Sequence, residues 1–82
     1  MAKEEAKIKV HIEKRSFGKY VTIVEGIDPK TNPKELAKKL KSKLATGGTF
    51  KDNKIELQGN HLSRIKKLLI ELGFSEKQIE VE

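Results

Sequence analysis

The sequence predicts an α+β fold: a single domain in which one mixed sheet of about five strands carries two helices on one face, in the order β-β-α-β-β-α-β. Three observations predict it. Two segments place apolar residues at helical spacing, each with one apolar stripe on an otherwise charged cylinder. Short alternating or β-branched segments lie before, between and after them. The stretch of 82 residues is expected to form one domain in which every element shares one small core.

Ile8, Val10 and Ile12 alternate with Lys7, Lys9, His11 and Glu13, the period of a half-buried strand. Tyr20 to Val24 is β-branched and aromatic and forms a second strand. The intervening KRSFGK, with Gly18 free to take positive φ, makes a hairpin with a basic tip. In TNPKE, Asn32 is the expected cap, Pro33 the first helical residue and Glu35 the partner that completes a capping box. Leu36, Ala37, Leu40 and Leu44 form the stripe of that helix, and Gly47 and Gly48 are expected to end it. Thr49 to Lys51 and Lys54 to Leu57 then make a second hairpin about an Asp52-Asn53 turn. After Gln58-Gly59, Asn60 caps a second helix carrying Leu62, Ile65, Leu68, Leu69 and Leu72. Gly73 stops it, Phe74 sits where an apolar residue closes a Schellman turn, and Ile79 and Val81 alternate with glutamates as a last strand. One stripe per helix places both helices on one sheet face, leaving the other to water or a partner. No repeat or linker is evident. Residues 1–6 are expected to be a disordered N-terminal tail to a domain spanning 7–82.

The chain has no cysteine, so neither disulfides nor a thiolate metal site supports it, and a cytoplasmic location is expected. MAKEEAK lacks the apolar run of a signal peptide, and no window reaches the roughly 18 apolar residues of a membrane span. Eighteen Lys and Arg against twelve Asp and Glu give +6, a balance that favours polyanions through counterion release. GxxxxGK[ST], GxGxxG, HExxH and CxxC motifs are all missing, so no cofactor, metal or small-molecule substrate is expected. His11 and His61 lack a partner and pocket for general-base chemistry, and Asp28 and Asp52 read as turn residues; no enzymatic activity is expected.

The cations are placed more tellingly. Lys34, Lys38 and Lys41 form one ridge of the first helix and Lys39 and Lys43 another, with Glu35 the sole acid between residues 29 and 51. Like charges at i, i+4 weaken a solvated helix, whereas phosphates would satisfy them. KRSFGK adds a second cluster. Phe17 within it is expected as an anchor folded back on the sheet, with a base-stacking platform as the alternative. Without an RNP-type aromatic strand or a GxxG clamp, readout of structured RNA by shape and phosphate is the expected mode.

KLKSKLATGGT, a short hairpin and then IELQGNH resemble the core signature of the translation initiation factor one family, and VTIVEGID resembles that family's approach to its first helix. The likeness covers roughly residues 8–82, and the short second hairpin looks more like archaeal than eukaryotic members. The resemblance implies a factor that binds the small ribosomal subunit near the P site and enforces start-codon and initiator-tRNA selection. Its implied partners are small-subunit ribosomal RNA, with initiator tRNA, mRNA and other initiation factors. Lys14, Arg15, Gly18 and Lys19 match the family's basic first loop. Lys41 and Lys43 match the basic end of its first helix, whose ridge also holds Lys34 and Lys38, and Lys51, Asp52, Asn53 and Lys54 occupy the second hairpin tip, the element near tRNA. Departures are Thr46 where many members have Cys, expected to alter packing only, Ser42 within a basic run, Asn60 for Asp, and Leu62 where eukaryotic members carry Arg. The alternative is a general structured-RNA-binding or ribosome-associated protein without a codon-selection role.

Overall fold

The computed structural model describes residues 7–82; the tail expected for residues 1–6 lies outside them. β1 (Ile8–Lys14) and β2 (Tyr20–Glu25) form the first hairpin, with Val10 opposite Val24 and Ile12 opposite Thr22. Alternation buries Ile8, Val10 and Val24 under the helices and turns Lys9, His11 and Glu13 to the opposite face.

A 3-10 turn at Pro29–Thr31 leads into α1 (Pro33–Leu44). The expected capping box does not form: Asn32 has φ 58° and its side chain caps nothing. The chain must reverse sharply out of the 3-10 turn, and Asn enters the left-handed region at lower cost than most residues. Its carbonyl, rather than its amide group, receives the N–H groups of Glu35 and Leu36. The stripe is as expected, with Leu36, Ala37, Leu40 and Leu44 buried and Pro33 added to it.

Helix α1 ends differently from expectation. Ala45, at φ 53°, takes the left-handed position, and the Ala45 and Thr46 N–H groups donate to Ser42 and Lys41 in a Schellman arrangement. The glycine pair serves the sheet instead. Gly48 opens β3 (Gly48–Lys51), and a Cβ there would collide with the Glu56 carbonyl oxygen of β4 (Lys54–Gln58). Asp52 and Asn53, at φ 53° and 61°, form the expected two-residue turn, a type I′ geometry matched to strand twist.

Helix α2 (Leu62–Glu71) is capped one residue later than expected: the His61 carbonyl, not Asn60, takes the first helical N–H groups, from Arg64 and Ile65, while Asn60 Oδ1 accepts from Leu62 N at 3.2 Å just outside the helix. It ends in the anticipated Schellman turn: Gly73 has φ 109°, Phe74 N donates to Leu69 O, and Phe74 packs half-buried on the core. A Ser75 capping box then sets a 3-10 turn before β5 (Ile79–Val81), which pairs in parallel with β1. The sheet order is β3-β4-β2-β1-β5, with α1 over β3 and β4 and α2 over β5 and β1, the predicted architecture. Because Val21 opposes Gln58 while Glu25 opposes Lys54, the two hairpin turns lie at opposite ends of the sheet.

Candidate nucleic-acid interface

One polar knot gathers three elements at the end of the sheet that bears the first loop. Thr22 is fully buried; its hydroxyl donates to Gly59 O at 2.7 Å and accepts from His61 N at 3.0 Å. The Gln58 carbonyl accepts from Thr46 Oγ1 at 2.7 Å and His61 Nε2 at 2.6 Å, and Gly59 N donates to Tyr20 O at 2.8 Å. Since a carbonyl can only accept, Nε2 of His61 carries the proton, and that histidine is spent on the turn. Thr46 therefore contributes a hydroxyl donor as well as packing. The consequence is positional: the C-terminus of α1, the N-terminus of α2 and the base of the first hairpin meet here.

The sequence-selected cations separate into groups. Lys14 and Lys19 are exposed, and Gly18 takes φ 72° as anticipated. Phe17 does not fold back: it is 98% exposed, itself at φ 62°. Two successive left-handed residues at the tip aim the ring outward, which the expected anchor role did not allow for. Arg15 is already engaged, 3.0 Å from Glu13 and 3.6 Å from Glu56. Lys34, Lys38, Lys39 and Lys43 line the exposed side of α1, and Lys41 is half-buried with Nζ 3.5 Å from Gly48 O. Among the described residues, none of these α1 lysines forms an ion pair.

Lys51, Asp52, Asn53 and Lys54 occupy the far end. Asn53 Nδ2 donates to Ile27 O at 3.1 Å, and Lys54 lies 3.8 Å from Glu25, so Lys51 and Asp52 are what this tip presents outward. The structure also adds a residue that the sequence did not single out. Arg64 is exposed in the first turn of α2, directly after the knot, and is unpaired among the described residues. A cation there opposes the helix dipole, a signal that the helix start read from Asn60 already made available in the sequence.

The sheet face away from the helices is arranged oppositely. Lys54, Glu25, His11, Glu13, Arg15 and Glu56 form one connected polar chain, with successive separations of 3.8, 3.6, 3.3, 3.0 and 3.6 Å. The hydrogen bond from His11, and after it that from Arg15, holds the Glu13 carboxyl below its ordinary value of 4.5. The same bond to Glu13 raises the Arg15 guanidinium further above its usual range. Beneath the chain Ile23 is 2% exposed although no helix covers it.

No group of three or more His, Asp or Glu among the described residues could hold a metal, and no helix is long and apolar enough to cross a membrane. Fold and site define a class: a small basic α+β domain whose unneutralised cations suit a polyanion. Comparison with known proteins specifies it. The family described as "Translation initiation factor SUI1" matches residues 4–75. A "Protein translation factor SUI1 homolog" of Pyrococcus horikoshii is 63% identical over 98% of this chain and 82% of its own length. Proteins of the same description from Thermococcus kodakarensis and Aeropyrum pernix are each 58% identical, over 98% and 95% of this chain and 83% and 78% of theirs. The chain belongs to the translation initiation factor SUI1 family, and its role lies in translation initiation.

Proposed function

We propose that this chain binds the small ribosomal subunit near the P site through ribosomal RNA phosphates, and there enforces start-codon and initiator-tRNA selection. It acts in the cytoplasm and catalyses no reaction. One observation carries the reading: among the described residues the α1 lysines, Lys14 and Lys19 of the first loop and Arg64 of α2 have no carboxylate partner, while most charges at the centre of the open sheet face are paired with one another. Lys34, Lys38, Lys41 and Lys43 contact phosphate along the helix; Lys14 and Lys19, with Gly18 shaping their turn, do so from the hairpin, joined by Arg64. Arg15 joins them by exchanging Glu13 and Glu56 for a phosphate. The second tip, at the opposite end of the sheet, faces initiator tRNA with Lys51 and Asp52, on a turn held by Asn53 and Lys54.

Selection requires different affinities for two ribosomal states; equal affinity would shift nothing. Steric competition between the bound domain and a correctly paired tRNA supplies that difference, and phosphate contacts keep the affinity salt-sensitive and reversible. Co-sedimentation with separate small and large subunits across a salt series, with and without initiator tRNA and a start-codon mRNA, tests this. Saturable binding to the small subunit alone, weakened by the correct codon pair, is the expected result. Equal binding to both subunits, or indifference to tRNA, would replace it with general association with structured RNA.

A further inference from the structure

We infer that Phe17 stacks on an unpaired RNA base, a contact separate from the phosphate contacts of the lysines around it. The inference rests on the ribosomal reading above and specifies what the first loop recognises there. At 98% exposure the ring is the least buried large apolar side chain described. It sits at φ 62° and ψ 31°, where a bulky residue is strained and glycine would not be. The neighbouring Gly18, at φ 72°, already supplies the flexibility of the turn, so closing the hairpin does not call for an aromatic residue.

The tip is held in shape: Arg15 N donates to Lys19 O at 2.7 Å, Lys19 N to Ser16 O at 3.3 Å, and a regular two-stranded base supports both. The backbone that carries the ring is therefore set before binding, and only the side chain is left to order. Its surroundings decide the ligand. Lys14 and Lys19, exposed and without a carboxylate partner among the described residues, lie within three residues of it, and Arg15 beside them is held by Glu13 and Glu56, so a polyanion that also offers an apolar face suits this tip. A duplex offers its bases already stacked, whereas an unpaired base exposes a face to an aromatic ring.

The chain has no tryptophan, so Phe17→Trp places a single indole at the contact. Titration of that variant with purified small subunits should quench its fluorescence saturably, as stacking on a base does. Phe17→Leu keeps an apolar side chain without a stacking face; it should bind roughly 5- to 100-fold more weakly, with the slope of log affinity against log salt unchanged. Phe17→Tyr should bind like the parent. Parental affinity in Phe17→Leu overturns the inference, and so does a blue shift without quenching in Phe17→Trp, the sign of an apolar protein pocket. Failure of the parent chain to bind small subunits would remove the ribosomal reading itself, a result distinct from a binding parent with an indifferent Leu variant.

Discussion

Two faces of this domain are both densely charged and treat their charges oppositely. On the open sheet face, Lys9, Arg15, Lys51 and Lys54 share the surface with Glu13, Glu25, Glu56 and Glu80, and six side chains including His11 link into one polar chain. Along α1, five lysines accompany one glutamate and pair with nothing described. Exposed ion pairs contribute about 0–1 kcal/mol each, so the sheet network matters chiefly as a lid of side-chain stems over Ile23. The α1 pairs Lys34–Lys38 and Lys39–Lys43 cost a few tenths of a kcal/mol each. The dipole favours Lys41 and Lys43 near the helix end, but opposes Lys34 and, on α2, Arg64. Charge density alone therefore does not mark a binding surface. What marks it is a cation that folding stability leaves unexplained.

Replacing Lys34, Lys38, Lys41 and Lys43 together with Ala should give the largest effect. Each lost phosphate contact flattens the salt slope by roughly one, so affinity for the small subunit should fall by about three orders of magnitude near physiological salt. Replacing Lys9 on the sheet face should leave that slope unchanged. Equal losses from the two faces, measured by co-sedimentation in a salt series, would erase the distinction between them.

Ile23→Ala probes the other side of the comparison. If the charged chain shields Ile23 as a core residue, truncation should cost about 2–4 kcal/mol in urea unfolding despite the absence of a helix above it. A loss below about 1 kcal/mol would mean that the lid is open and the face hydrated.

These faces were unequally legible in the sequence. Period and spacing suffice for the α1 stripe, the α2 stripe, the Gly73-Phe74 stop and the Asp52-Asn53 turn, because each depends on residues within a few positions of one another. Arg15 read as one of the basic loop residues: Glu56 is brought near it only by the β2–β4 register, and Glu13, its closer partner two residues earlier, is aligned with it only by the extended end of β1. The Gly47-Gly48 pair read as a helix stop because close approach to the Glu56 carbonyl is a tertiary demand that leaves the same letters in the chain. The place of Arg64 beside the first hairpin became visible only with the knot that sets the start of α2 there. The lysine ridges of α1 were legible as a group, while the placement of the two hairpin tips at opposite ends was not.

Thr22→Val tests whether that knot is what keeps the basic elements together. The substitution leaves Gly59 O and His61 N without their partner in a buried site, which should cost about 1–3 kcal/mol. It should also weaken subunit binding beyond what altered folding explains, since the first loop, α1 end and α2 start would lose a common support. Binding at parental affinity by folded protein would show that the elements hold their places independently.

The smallest effect concerns Glu13, at the middle of the sheet-face chain. Its native carboxyl titrates below the ordinary 4.5 because His11 and then Arg15 hydrogen-bond to the charged form. On acidification the unfolded chain takes up that proton first, so the stability that Glu13 supplies is complete above pH 4.5 and disappears as pH falls through its lowered native value. Glu13→Gln keeps the shape and removes the charge. In urea titrations it should be slightly less stable than the parent at neutral pH and indistinguishable from it in strong acid. Molar salt should shrink the neutral-pH difference, because the group is exposed and its partners are screened. A difference that survives both acid and salt would mean that side-chain packing over Ile23, rather than ion pairing, holds this face together, and the contrast with α1 would then be one of shape instead of electrostatics.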